Sequence, residues 1–195
     1  MGRIFYVMGR SASGKDTIYK KLLERFPQLK RLMTYTTRPM REGEKEGEEY
    51  HFTSEQELET CAREGRLIEK RVYRTVHGPW TYATVDDGSF RPEGPDSFLG
   101  IGTLESWNCL REYYGEEVLF PVYLETDPGV LLERALKREK KQPQPRYAEL
   151  CRRFLADEAD FSEDRIAAAG IVRRYRNEAL DACLAEIVKD MIHYV

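Results

Sequence analysis

No stretch of this 195-residue chain stays apolar long enough to span a bilayer, and no leader-like segment precedes its first apolar run. The four cysteines, Cys61, Cys109, Cys151 and Cys183, stand far apart with no CxxC pair. That argues against a zinc site and against a disulfide framework, and fits reduced thiols in a cytoplasmic protein. Histidine is scarce: His51, His77 and His193 are scattered and read as structural or exposed, not catalytic. An excess of one charge is also lacking. With 31 Lys/Arg against 34 Asp/Glu the net charge is −3, so no global basic field points to nucleic acid. Repeats and low-complexity tracts are absent. The length suits one domain, long enough to bury roughly 70 % of its unfolded surface.

What is present is local. Between Lys15 and Arg41 there are eight Lys/Arg and two acids, while Glu42–Glu49 holds five acids and one lysine. A positive stretch followed by an acidic one suits a small phosphorylated ligand better than a long polyanion. At the start of the positive stretch stands Gly9-Arg10-Ser11-Ala12-Ser13-Gly14-Lys15-Asp16-Thr17, directly after the apolar run Ile4–Met8. Strand, glycine-bounded loop, lysine and helix in that order form the phosphate loop of a nucleoside-triphosphate site. Gly9 and Gly14 permit tight turns, the N–H groups of the loop, Ser11 and Ser13 included, face a polyphosphate, and Lys15 reaches its outer oxygens. The helix opening at Lys15 points its positive end at the same anion. The hydroxyl usual for Mg²⁺ directly after the lysine is replaced by Asp16, with Thr17 one later. Both are oxygen donors that a hard cation accepts.

Apolar spacing predicts a helix over Lys15–Phe26, and Ser54-Glu55-Gln56-Glu57 is a capping box opening another toward Cys61. β-like runs follow at Leu67–Tyr73 and Thr81–Val85, with Gly78-Pro79 as the turn signal between them. Phe98–Ile101 and Val118–Leu124 read as buried parallel strands around a helix from Leu104 to Tyr114. Asp127-Pro128 caps the next helix. Lys137–Arg146 carries no core-forming pattern, a helical stripe resumes at Tyr147, and a last helix spans Leu180 to Met191. Strands alternating with helices imply a three-layer α/β fold with a mainly parallel central sheet and a ligand at the strands' carboxyl ends. Two excursions interrupt it: a β-rich region over residues 34–88, and a short basic one at 137–148. The core is then 1–33, 89–136 and 149–195.

Residues 34–52 read Thr-Tyr-Thr-Thr-Arg-Pro-Met-Arg-Glu-Gly-Glu-Lys-Glu-Gly-Glu-Glu-Tyr-His-Phe. Arg38 and Arg41 can converge on one phosphate, and Tyr50 adds a hydroxyl donor. This segment resembles the signature of the guanylate kinases. The resemblance covers the chain in order and thins after about residue 90. It implies transfer from ATP to GMP with Mg²⁺, on a P-loop kinase core with an acceptor-binding insertion and a lid, acting as monomer or homodimer. It implies that Arg38, Arg41, Tyr50 and Tyr82 hold the acceptor phosphate, with Glu44 orienting the arginines. Glu69, Thr84 and Thr34 would meet the base. Arg138 and Arg153 would reach the transferred phosphoryl from the lid, with Arg146 a competitor, and Asn177 would lie on the adenine side.

Three positions depart from that pattern: Asp16, Ala83 where glycine is usual, and Gly102-Thr103 where an aspartate helps read guanine, with Glu105 a possible substitute. A kinase of the same fold acting on another phosphorylated acceptor, such as ribose 1,5-bisphosphate, shares the Gly-Lys-Asp of this loop. A non-catalytic interaction module of the same family is the other alternative. Gly9, Gly14 and Lys15, all present, speak against it.

Overall fold

A computed structural model describes residues 1–75 and 78–195, so His77 lies outside the described residues. Its centre is a five-stranded sheet in the order β2 (Lys30–Arg31), β7 (Phe98–Gly102), β1 (Ile4–Gly9), β8 (Leu119–Glu125) and β9 (Arg174–Arg176), with every neighbouring pair parallel. β1 is buried along its whole length, as a central strand covered on both faces must be. On one face Phe5, Val7 and Leu99 pack with α1 (Lys15–Arg25) and α7 (Leu180–Met191). On the other, Ile4, Tyr6 and Met8 pack with Trp107 and Leu110 of α3 (Leu104–Tyr114) and Ile166 of α6 (Glu163–Ala168). This is the three-layer α/β arrangement expected. No helix among the described residues is long and apolar enough to cross a membrane.

A second sheet, β4-β3-β6-β5, is formed by β3 (Tyr35–Thr36), β4 (His51–Phe52), β5 (Leu67–Thr75) and β6 (Gly78–Val85). α2 (Glu55–Arg63) covers it, opened by the complete Ser54–Glu57 capping box. Gly78-Pro79 does not mark the turn: both residues lie inside β6, opposite Thr75 and Arg74. A proline is tolerated there because it lies near the start of the strand, where β6 pairs with β5 alone.

α4 (Pro128–Glu139) starts as expected, with Asp127 accepting the N–H groups of Gly129 and Val130. Residues 140–146 lead into α5 (Tyr147–Asp160), whose inner side meets the loop after β1. That loop leaves the carboxyl end of β1, where β1 is flanked by β7 and β8.

Candidate active site

The loop of residues 10–14 turns sharply enough to need glycine at its end. Gly14 has φ +91°, and a Cβ there would sit 2.5 Å from Asn177 Nδ2. That nitrogen donates to the Ser13 carbonyl at 2.6 Å, so buried Asn177 braces the loop from below. Its Oδ1 is buried with no hydrogen-bond partner among the described residues. Ser13 is buried beside it. Lys15 folds back, its Nζ donating to the carbonyls of Gly9 at 2.7 Å and Arg10 at 2.9 Å. Burial pulls the Lys15 pKa below its ordinary value, against the opposing fields of Asp157 and Asp16.

Two acids of α5 sit on this loop. Asp157 accepts the Ser11 N–H, and Glu158 pairs with Arg10. Neither was singled out in the sequence. Asp16 and Thr17 are exposed on the first turn of α1. Among the described residues no cluster of three His, Cys, Asp or Glu could cage a metal. Two oxygen donors next to a phosphate loop still fit Mg²⁺, which commonly takes one or two protein oxygens and completes its shell with phosphate and water.

The second group of residues converges at the second sheet. Arg38, whose side chain is 2 % exposed, makes a two-pronged pair with Glu44 at 2.8 and 2.9 Å. Glu44 also accepts the Arg41 N–H at 2.8 Å. Hydrogen bonds from Arg38 and then Arg41 hold the Glu44 carboxyl below the usual glutamate range. The Arg38 guanidinium lies over the rings of Tyr50 (5.2 Å) and Phe52 (5.6 Å), and Tyr50 meets Tyr82 edge-on at 5.7 Å. The structure thus brings together Arg38, Glu44, Tyr50 and Tyr82, with Arg41 alongside and its side chain in water. Thr34 stays apart. Its carbonyl accepts the His51 N–H at 3.0 Å.

Behind them is a buried polar network. Glu69 and Thr84 face each other across β5 and β6, and the Thr84 hydroxyl donates to Glu69 Oε1 at 3.1 Å. The Ser106 hydroxyl donates to the same oxygen at 3.1 Å. Arg71, two residues along the strand and so on the same face, adds Nε to Oε2 at 3.0 Å and its terminal nitrogen to Oε1 at 3.2 Å. Burial works against the Arg71 charge, but the Glu69 carboxylate outweighs it and holds its pKa above the ordinary value.

One cleft of about 750 Å³ runs from the loop after β1 to Arg71. Gly9, Ser11 and Lys15 line one side of it, and Arg71, Tyr73 and Thr103 the other. Arg138 and Arg153 flank a smaller hollow with Arg10, Ser11 and Asp157, and both meet Arg146 in an adjoining depression.

Comparison with known proteins now decides the family. A family model described as guanylate kinase matches residues 1–85. The guanylate kinase of Chlorobium luteolum is 32 % identical over 143 residues, 72 % of this chain and 70 % of that protein. The one from Legionella pneumophila is 40 % identical over 143 residues, 71 % of this chain and 65 % of the relative. The match to the Neisseria gonorrhoeae guanylate kinase spans 60 % of that protein, so these alignments cover about two thirds of the relatives' own length. The crystal structure of guanylate kinase from Anaplasma phagocytophilum superposes with a TM-score of 0.60 at 20 % identity, covering 98 % of this chain and 85 % of that one, a likeness of fold.

The chain belongs to the guanylate kinase family.

Within that family, the structure accounts for one departure noted in the sequence. Tyr6 of β1 lies opposite Gly100 of β7, and its ring runs across both Gly100 and Gly102. A Cβ on Gly102 would fall 2.0 Å from the Tyr6 hydroxyl, and one on Gly100 would fall 2.6 Å from the ring. At Gly102, one of the two positions where the guanylate kinase pattern places an aspartate, a side chain would run into the Tyr6 hydroxyl. Ser106, whose hydroxyl donates to Glu69 Oε1 at 3.1 Å, is also a neighbour of the Tyr6 hydroxyl. Glu105, the alternative carboxylate, is exposed on the first turn of α3. Ala83 is fully buried in β6 against Leu58 and Val85, where its methyl fills core space under α2.

Tyr6, Arg71, Ser106 and Asp157 went unread in the sequence. Arg71 had one usable signal, its two-residue spacing from Glu69 on a strand.

Proposed function

We propose that this chain transfers the γ-phosphoryl group of ATP to GMP with Mg²⁺. The observation that supports this best is a cleft with the Lys15 loop on one side and Arg71 and Tyr73 on the other, where the Tyr73 ring meets that of Tyr82 at 5.6 Å. Phosphoryl transfer needs two phosphorylated substrates held in line, and little covalent help from the protein.

In this reading Lys15 leaves its two carbonyl partners to meet the β and γ oxygens, while the N–H groups after Gly9 cradle the same phosphates. Asn177 contributes by keeping Ser13 and Gly14 in place. Asp16 and Thr17 would hold Mg²⁺, which when bound neutralises charge on the transferring group. Arg38, Arg41, Tyr50 and Tyr82 hold the acceptor phosphate, and Glu44 fixes the Arg38 fork so that it is already oriented. Arg138 and Arg153 complete the positive surround from α4 and α5. Residues 137–148 serve as a lid over a core of 1–33, 89–136 and 149–195, with 34–88 as the acceptor-binding region. Closure excludes water and suppresses hydrolysis of ATP. The enzyme works on free nucleotides in the cytoplasm, as a monomer or homodimer.

The test is ADP production from Mg-ATP with GMP, with AMP and no-acceptor controls. GMP-dependent turnover is expected, and both Lys15→Ala and Arg41→Ala abolish it while the circular dichroism spectrum stays unchanged. Normal turnover in either folded variant would sink the assignment.

A further inference from the structure

The groups around Arg38 converge on one threonine. Thr36 closes β3, fully buried, opposite Tyr82 of β6. Its hydroxyl donates to the Thr81 carbonyl at 2.8 Å and accepts the Arg38 N–H at 3.2 Å. A hydroxyl has one donor and two acceptor positions, so a single group can hold both. The Thr36 carbonyl accepts the Thr53 N–H at 2.9 Å, one residue beyond Phe52 of β4. Three strands of the acceptor end therefore meet at this residue. One leads to Arg38, one carries Tyr82, and one carries Phe52, whose ring lies 5.6 Å from the Arg38 guanidinium.

The bond from Thr36 to Arg38 turns the chain out of the sheet, as a threonine hydroxyl does when it takes the N–H two residues on. Pro39 then keeps Arg38 out of the helical region. Glu44 fixes which way the guanidinium faces. The Thr36 hydroxyl fixes where the Arg38 backbone stands relative to β6. Its neighbour makes a contrast. Thr37, half-buried, accepts the Thr81 N–H at 3.0 Å through its hydroxyl, and that hydroxyl makes no bond to Arg38 among the described residues. We infer that Thr36 is a positioning residue for phosphoryl transfer, its hydroxyl setting the spacing between Arg38 and Tyr82 across the acceptor phosphate. The inference rests on the proposed kinase reading and deepens its acceptor site. Valine has the shape of threonine without the hydroxyl. It leaves the Arg38 N–H without its partner and frees one side of the clamp from the other. The Lys15 contacts with Gly9 and Arg10, in the loop after β1, are untouched by it.

The experiment compares the wild type with Thr36→Val, Thr36→Ser and Thr37→Val, by steady-state kinetics with Mg-ATP and GMP and by calorimetric titration with GMP. Circular dichroism checks folding. Thr36→Ala, which leaves room for a water on the Arg38 N–H, replaces Thr36→Val if that variant does not fold. Thr36→Val is expected to raise both KM and Kd for GMP about tenfold, the effect of one lost hydrogen bond at the upper end of its usual range. The KM for Mg-ATP should stay within about twofold of the wild type, since the loop after β1 loses no hydrogen bond. Thr36→Ser keeps the hydroxyl and should return GMP binding to within about threefold of the wild type. Thr37→Val, whose lost bond does not reach Arg38, should fall in the same range. A GMP KM unmoved in the folded Thr36 variant overturns the inference and leaves the kinase reading standing. So does an equal loss in Thr37→Val, or a rise of both KM values together, since either marks general support of the sheet. Failure of serine to restore binding overturns it too. Wild-type binding of GMP without turnover overturns the kinase reading, and the Kd values of the variants then decide the inference. A wild type that does not bind GMP overturns both.

Discussion

Asp157 occupies a place that a nucleotide needs. Its carboxylate accepts the Ser11 N–H, one of the loop donors aimed at the triphosphate, and its field acts on Lys15. If the loop binds ATP as proposed, that contact must open first. A hydrogen bond to a charged group contributes about 1.5–3 kcal/mol, and partial exposure of Asp157 favours the lower end. Removing 1.5 kcal/mol of competition corresponds to about a tenfold gain in affinity. Asp157→Ala should therefore tighten Mg-ATP binding about tenfold by isothermal titration calorimetry at neutral pH. The same change should lower the thermal stability of the ligand-free protein, because the loop loses its internal anion. Glu158 keeps its pairing with Arg10, so α5 stays attached. Unchanged or weaker ATP binding in a folded Asp157→Ala protein would refute the competition argument and make Asp157 a ligand-side residue instead.

Other outcomes follow from contacts already described. Gly102→Ala drives a methyl into the Tyr6 hydroxyl and should cost about 1–3 kcal/mol in urea unfolding, as overpacking does. Tyr6→Phe in the same chain should return part of that loss, since the next ring atom is 3.0 Å away; strictly additive effects would contradict the steric reading. Gly14→Ala combines a left-handed backbone with a 2.5 Å clash on Asn177, and should abolish ATP binding measured by calorimetry. Glu44 titrates below its unfolded value because Arg38 and Arg41 bond to its charged form. Its stabilisation is thus complete above the unfolded carboxyl pKa of about 4.3 and is lost as pH falls through the lower folded value. Thermal melts from pH 6 to 3 should show a steeper acid loss for the wild type than for Glu44→Gln.

The parts of this molecule legible in the sequence were those with local causes. β1 and the loop after it announce themselves by an apolar run and two glycines, and α2 and α4 by their capping residues Ser54 and Asp127. The helix from Leu104 to Tyr114 has the predicted limits. Short pairings were not legible. β9 is a single buried tyrosine between two arginines, and β2 is two exposed residues held by their neighbour β7. Gly78-Pro79 looked like a turn by composition, but pairing with β5 overrode that local preference. In the site, the Arg38–Glu44 clamp lies within six residues and could be read as a motif. The Glu69 network joins β5, β6 and α3, and no local pattern reports such a meeting. Gly102 looked like a loss in the sequence, and its cause is Tyr6, a residue on another strand.

The brace under the loop also sets an order of events in folding. Ser13 and Asn177 are 164 positions apart, and Asn177 is placed by its own N–H bond to the Glu125 carbonyl and by Arg134, which donates to its carbonyl. The glycine loop is written into the first dozen or so residues, yet its shape is completed by a segment made long after. A nascent chain that has formed β1, α1 and β7 therefore carries the motif without a finished phosphate cradle. Contacts of such long range close late and slowly.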